Sequence, residues 1–348
     1  MDAPRLRSLL LRGGLIAGAN WPVVIAQGLS ESVVRALAGI PLAGAAMLLW
    51  LVSVPNAAPG PAIDSAAAAL TALAAEPAAL AGVAVSGIVA ALGAMAFGAV
   101  MKAGGVAVIV AGEARARAAP AAARRVPLLS AAQAWSTARF THGCARFGPR
   151  FVRLGLALAV LETAVAFGYA TAIVHAYRTF VSAAASWWIA PAVAAVSVIA
   201  LTVSIVAELG YRLTQLVVVA DDCGVRAALR GAGGFVRREA LIVARLCLAA
   251  LVLSALTFAI ALVAAAAVGL VSFVPVAGVV VLPLQAAVWV VRGLTLPFID
   301  LAALAAYASV YRAWPEGASP QGAVPERPRP ASPAALPPRA CPAEVPER

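Results

Sequence analysis

Polar and charged side chains interrupt several long apolar runs of this sequence, and their types indicate what chemistry it could support. The set comprises Lys102, Glu162, Glu208, Arg212, Gln285, Arg292 and Asp300. Within a bilayer, a charge near the middle of such a run costs about 2.5–3.5 kcal/mol on insertion scales, so it needs a partner or a function. Glu162, near the middle of its run, is either a carboxyl group hydrogen-bonded to Tyr or Thr inside a helix bundle, or a proton or substrate site.

The three basic residues of this set suggest a site for an anion. Lys102, Arg212 and Arg292 occupy comparable positions in three apolar runs, and basic pockets between helices bind anionic lipid head groups. The hypothesis is that they converge on the cytoplasmic side of the membrane; the alternative is that each extends separately to the interface. Glu208, four residues before Arg212, is expected to pair with it, and Gln285 continues the polar line of Arg292.

The sequence shows no recognised catalytic or metal-binding pattern. His142 and His175 are its only histidines. A His-Glu-x-x-His metal motif, a glycine-rich phosphate loop and a Gly-x-Ser-x-Gly nucleophile motif are all missing from the sequence. We therefore expect a non-enzymatic protein without catalytic residues, a bound metal or a cofactor.

The composition predicts that these residues are carried by membrane helices. The chain has 348 residues, of which 63% are apolar and 12% charged, with a mean hydropathy of +0.94. Soluble domains have about 45–50% apolar and about 25% charged residues, so the predicted class is an all-α polytopic membrane protein. The net charge of +11 comes from arginines beside apolar runs, which favours anionic lipid as a partner rather than nucleic acid.

About six transmembrane helices are predicted, at 23–54, 79–111, 154–173, 187–219, 241–271 and 276–311. Glu31 and Arg35, four residues apart in the first, are expected to form an ion pair. Residues 4–19 and the arginine-rich segment 113–153 have patterns of amphipathic helices that lie in the membrane surface. The proline-rich tail, 313–348, is predicted to be disordered.

The distribution of arginine predicts the orientation. Loops after the second and fourth spans hold most of the arginines, whereas those after the first, third and fifth hold almost none. By the positive-inside rule, both termini and the tail are then cytoplasmic. One lysine among 26 basic residues indicates a GC-rich genome, so the expected location is a bacterial cytoplasmic (inner) membrane.

An internal repeat is also predicted. Arg153-Leu-Gly-Leu-Ala-Leu-Ala-Val-Leu161 aligns with Arg245-Leu-Cys-Leu-Ala-Ala-Leu-Val-Leu253, and in both an amphipathic stretch leads into a span. The membrane domain, 1–312, would then contain three copies of an interfacial helix and a hairpin, at 4–112, 128–220 and 221–312. The second span of each copy is long and contains glycine or proline, which predicts interrupted helices.

One stretch resembles a known group of bacterial membrane proteins. It consists of Asp-Asp-Cys-Gly at 221–224, an Ala-Leu-Arg amphipathic helix up to Glu239, and a hairpin that ends near Tyr307 and Tyr311. The pattern, over about 130–312, is similar to the membrane domain found ahead of some glycerophosphoryl diester phosphodiesterases. The resemblance implies a membrane module without catalytic residues, because the catalytic domain is absent from this sequence.

These observations favour a non-enzymatic scaffold, accessory or lipid-interacting protein of the inner membrane. The alternative is a small-solute or lipid transporter, in which Glu162 and the three basic residues line a path. The two hypotheses differ in one structural expectation. A transporter requires Glu162, Arg212 and Arg292 to face a shared water-filled cavity, whereas a scaffold allows them to pair locally.

Overall fold

The computed structural model describes residues 3–53, 77–118, 125–182, 186–271 and 275–313. The predicted loop after the first span and the predicted disordered tail, from residue 314 on, lie outside the described residues. Eight α-helices account for nearly all of the described part: α1 Ala3–Ala19, α2 Trp21–Ser53, α3 Pro77–Ala118, α4 Arg125–Ala132, α5 Thr137–Ser182, α6 Ile189–Ala220, α7 Val225–Val271 and α8 Pro275–Ala313.

The long helices exceed the thickness of a bilayer. Helices α3, α5 and α7 have 42, 46 and 47 residues. At about 1.5 Å per residue each is roughly 60–70 Å long, against about 30 Å for a hydrocarbon core. Among the described residues, five helices are long and apolar enough to span a membrane. A sixth span results if α1 and the start of α2, which meet at 81°, are counted together. The predicted class, an all-α polytopic membrane protein, is confirmed.

The helices are packed tightly at their arginine-rich ends and loosely elsewhere. Fully buried side chains such as Ile109, Phe151, Leu213, Phe235 and Leu301 all lie towards those ends. In the most apolar 18 residues of each candidate span, at most 22% of the residues are buried within the protein. Such apolar surface is stable when lipid covers it, because lipid tails are as apolar as the side chains.

The packing order of the helices forms a closed ring. Helices α2 and α3, α5 and α6, and α7 and α8 pack as three pairs. Neighbouring pairs meet through α3 with α5 and α6 with α7, and α1 closes the ring by packing against α8. Two glycines allow close approach: a Cβ on Gly143 of α5 would crowd Ala107 of α3, and one on Gly13 of α1 would overlap the Ala302 carbonyl of α8.

Two local expectations differ from the structure. The amphipathic segment around 137–153 forms one continuous helix, α5, with the following span. Its aromatic face is buried by protein, since Phe140, Phe147 and Phe151 are at most 8% exposed and α5 packs on α3. The second helices of the copies are not interrupted within the described residues, and α8 continues through Pro297. The kink lies instead in α7, where Glu239 leaves helical geometry.

Candidate functional site

Arg212, on α6, is the centre of an ion network that joins two helix pairs. Its Nε donates to a carboxylate oxygen of Glu208 at 2.9 Å, one turn earlier on the same helix. Its Nη1 donates to Asp300 of α8 at 2.6 Å. The predicted Glu208–Arg212 pair is therefore confirmed, and Asp300 is a second partner from a neighbouring helix pair. Two carboxylates around one guanidinium leave one negative charge in excess.

Glu162, in the middle of α5, has a weaker partner. The hydroxyl group of Ser204, on α6, donates a hydrogen bond of 2.9 Å to its carboxylate. The sequence predicted a Tyr or Thr in this role, and the structure has Ser. No described residue forms an ion pair with Glu162. One neutral hydroxyl group does not offset the desolvation of a carboxylate, so Glu162 is suited to accept a cation.

Glu162 and Arg212 line the same cavity, of about 350 Å³, which we call cavity A. It lies between α5, α6, α7 and α8. Its charged and hydroxyl lining comprises Glu162, Ser204, Glu208, Arg212, Ser254, Asp300 and Tyr307. Much of the remaining wall is apolar, with residues such as Leu209 and Leu251. Small-molecule sites have this size and this combination of an apolar wall with a few polar groups.

A second cavity, of about 370 Å³, lies between α2, α3, α5 and α6, and we call it cavity B. Glu31, Arg35 and Lys102 contribute its own charged lining. Glu162 and Glu208 line both cavities and therefore stand between them. A solute that moved between the cavities past Glu162 and Glu208 would meet these two carboxyl groups.

A small cavity of about 40 Å³, the junction, adjoins both. It shares Glu31 and Lys102 with cavity B, and Arg212 and Asp300 with cavity A. Gln215 also lines the junction; it is 3% exposed, and its Nε2 has no hydrogen-bond partner among the described residues. A buried amide needs an acceptor, and the junction has room for a water molecule that could supply one.

The three basic candidates do not meet at one place. Lys102 lines the junction and cavity B, with its Nζ 5.9 Å from the ring centre of Tyr211. Arg212 lines the junction and cavity A. Arg292 lines none of these three cavities, and its guanidinium lies over Phe258, 4.8 Å from the ring centre. It precedes Asp300 by eight residues of α8, about 12 Å along the helix axis.

Gln285 lies two turns before Arg292 on α8 and is half-buried. It also lines none of the three cavities. The predicted pair of Glu31 and Arg35 is confirmed, with a distance of 3.0 Å between Nη2 and Oε2. Glu31 thus places a carboxyl group in cavity B and in the junction, a position that the sequence analysis did not single out.

At the arginine-rich end, ion pairs link α5 to the turn between α6 and α7. The sequence analysis did not predict them. Asp222, between α6 and α7, accepts hydrogen bonds from Arg146 and Arg150 of α5. It adopts a left-handed backbone conformation, with φ of 47°, which Asp tolerates better than most residues. Burial acts to raise the pKa of Asp222, but the bonds and charges of the two arginines outweigh it and lower that pKa.

Two buried polar residues hold α1 in place at the same end. Glu113 of α3 is fully buried, 3.0 Å from a guanidinium nitrogen of Arg12 and 3.5 Å from one of Arg117. Asn20, between α1 and α2, accepts hydrogen bonds from the backbone of Ala134 and Trp135 at 2.8 and 2.9 Å. The contacts of Glu113 with Arg12 and of Asn20 with Ala134 join residues more than 100 positions apart, which local spacing does not indicate. The Glu113–Arg117 pair has helical spacing and was overlooked.

The helices and their charged cavities define the class: a multi-pass helical membrane protein with polar groups between its spans. Comparison of the chain with protein-family models, with curated proteins and with solved structures finds no match. Within the described residues, no group of three or more His, Cys, Asp or Glu side chains is placed to hold a metal ion.

Proposed function

We propose that this protein transports a small polar or amphipathic solute across a membrane and that cavity A is its binding site. The observation that carries the proposal is that Glu162 and Arg212 line one cavity inside the apolar helices. Of the three residues expected on a transport path, Arg292 lies outside this cavity, and Arg212 also pairs locally with Glu208 and Asp300. Ionisable residues that face a cavity among membrane helices commonly mark a substrate or ion pathway. A purely structural scaffold would not need a cavity of about 350 Å³ with charged walls.

Cavities A and B together suggest how a solute could move. They adjoin at Glu162 and Glu208, and again at the junction, where Arg212 and Asp300 from one side meet Lys102 and Glu31 from the other. A change in the Arg212–Asp300 pair would open or close this boundary. The loosely packed spans allow such a change, whereas the tightly packed arginine-rich ends hold the helices together.

The orientation that we propose for the protein in the membrane is the one that the arginine pattern predicts. The tightly packed, arginine-rich end lies at the cytoplasmic face of a bacterial inner membrane, with both termini on that side. Arg226, Arg230 and Arg237, at the start of α7, are exposed and would meet anionic head groups there. This exposed basic surface also favours a second candidate function, a non-enzymatic lipid-interacting scaffold.

Uptake by reconstituted liposomes tests the transport proposal. The full chain would be offered a panel of labelled amines, carboxylates and neutral polyols, and compared with Glu162→Gln. We expect one class of solute to enter the protein-containing liposomes faster than it enters protein-free liposomes. Glu162→Gln should reduce the uptake rate of that class at least tenfold.

Glu239→Gln is the matched control, since Glu239 lines none of the three cavities and should keep the wild-type rate. If folded protein admits no class of solute above background, the transport proposal fails and the scaffold remains.

A further inference from the structure

We infer that cavity A accepts a cationic group, most simply the ammonium of an organic amine, with Glu162 as its counter-ion. The inference rests on the proposed function and adds the charge class of the ligand. The charge of the proposed ligand is opposite to that of the anionic head group that the positions of Lys102 and Arg212 suggested.

The charges that line cavity A carry the inference. Glu162, Glu208 and Asp300 face a single basic residue, Arg212. Arg212 already binds two of these carboxylates, at 2.9 and 2.6 Å, and therefore has little capacity left for an anion. If all of these groups are ionised, the wall has two negative charges in excess; one remains when Lys102, which lines cavity B beside Glu162 and Glu208, is counted as well. An anion would meet net repulsion at this wall, and a cation net attraction.

The remaining wall suits an ammonium group that carries apolar substituents. Leu209 and Leu251 supply apolar surface, and Ser204 and Ser254 supply hydroxyl oxygens that can accept hydrogen bonds. The ring of Tyr307 also lines the cavity, and aromatic faces attract ammonium groups. No basic residue of the described chain other than Arg212 lines cavity A, and Lys102 approaches Glu162 only from cavity B.

A second observation concerns a buried amide group at the charged end of the site. Gln215 is 3% exposed and lines the junction, which shares Arg212, Asp300 and Tyr307 with cavity A. Its Nε2 has no hydrogen-bond partner among the described residues. A water or ligand oxygen in the junction would satisfy this donor. A hydrated charged end and an apolar wall fit an amphipathic cation better than a wholly apolar ligand.

Cys247 provides a reporter that needs no knowledge of the natural ligand. It lines cavity A, and its thiol is free. The full chain in liposomes would be treated with either trimethylammonioethyl or sulfonatoethyl methanethiosulfonate, two reagents that differ mainly in charge. The Cys247 thiolate attacks the sulfenyl sulfur, a disulfide forms, and methanesulfinate leaves. Mass spectrometry of peptides would give the rate at each cysteine.

We expect the cationic reagent to modify Cys247 about tenfold faster than the anionic one, relative to the same ratio for free cysteine. Glu162→Gln should reduce that ratio severalfold, and Glu239→Gln should leave it unchanged. Cys223 lines none of the three cavities and is an internal control whose ratio Glu162→Gln should not alter.

The outcomes separate the inference from the function on which it rests. If the anionic reagent modifies Cys247 as fast as the cationic reagent, or faster, the cation inference is overturned. Cavity A is then a hydrated cavity without a preference for cations. An unchanged ratio in Glu162→Gln also overturns it. If neither reagent modifies Cys247 while Cys223 reacts, cavity A is closed to water and the transport proposal fails as well.

A lipid can supply the same ammonium chemistry as a soluble amine. The experiment would therefore be repeated in phosphatidylglycerol liposomes with and without phosphatidylethanolamine. Slower modification of Cys247 by the cationic reagent in the presence of phosphatidylethanolamine identifies the lipid head group as an occupant. Equal rates, together with protection by added tetraethylammonium, identify a soluble cation. Unchanged rates with no protection contradict cation binding.

Discussion

Arg212 of α6 donates a hydrogen bond of 2.6 Å to Asp300 of α8, and this contact joins two helix pairs across the boundary of cavity A. Glu208 holds the same guanidinium from the other side. The side chains are about one third exposed, so water reaches them from the cavity. The pair therefore combines a structural link with a position where a ligand could change it.

The Arg212–Asp300 pair should contribute to stability and be strongly coupled. Asp300→Ala leaves Arg212 with Glu208 alone and should cost about 1–3 kcal/mol, the range for a hydrogen bond to a charged group. A double-mutant cycle with Arg212→Ala, measured by unfolding in mixed micelles, should give a coupling energy above about 0.5 kcal/mol. Additive effects of the two substitutions would show that the contact does not link the helices.

Replacing Glu113 should destabilise the protein more than replacing an exposed acidic residue of an ion pair. Glu113→Ala removes a fully buried carboxylate from Arg12 and Arg117, whose side chains are partly exposed, so we expect a loss of about 1.5–3 kcal/mol. The control is Glu31→Ala, whose pair with Arg35 lies within one helix and is partly exposed, with an expected loss from that pair of about 0.3–0.5 kcal/mol. Equal losses in thermal unfolding would contradict the role of Glu113 as the anchor of α1.

Acid should weaken the ion pairs that Asp222 forms with Arg146 and Arg150. Because the arginines lower the pKa of Asp222 in the folded protein, its contribution to stability is present above its ordinary pKa of about 3.9. That contribution is lost as the pH falls from there through the lowered folded value. Asp222→Asn should therefore melt at a lower temperature than wild type at pH 7, and the difference should shrink as the pH falls below about 3.9. A difference that stays constant with pH would exclude this ionisation as the cause.

Adjacent glycines of α1 offer a matched test of its packing on α8. A Cβ on Gly13 would overlap the backbone carbonyl of Ala302, whereas a Cβ on Gly14 would have no neighbour within 4 Å. Gly13→Ala should destabilise the protein. Gly14→Ala should stabilise it by up to about 1 kcal/mol, the difference in helix propensity. The melting temperatures of the two variants in detergent check this, and equal shifts would mean that α1 does not pack on α8.

Local patterns in the sequence predicted what depends on near neighbours. The membrane class follows from composition, and the pairs Glu31–Arg35 and Glu208–Arg212 follow from helical spacing, because residues four apart share one face. The hypothesis that Lys102, Arg212 and Arg292 converge used equivalent positions in the repeat. Arg292 instead packs against Phe258 and Trp289, since a position along a helix does not fix which neighbour that helix meets.

Tertiary structure alone decided the chemistry between the helices. Asp300 reaches Arg212 across 88 residues, Glu113 reaches Arg12 across 101, and Asp222 reaches Arg146 across 76. These pairs depend on the rotation and offset of one helix against another, which the ring of packed helices sets and hydropathy does not encode. For the same reason the sequence identified Glu162 as an exceptional carboxyl group, and only the packing of four helices placed it in a cavity with Arg212.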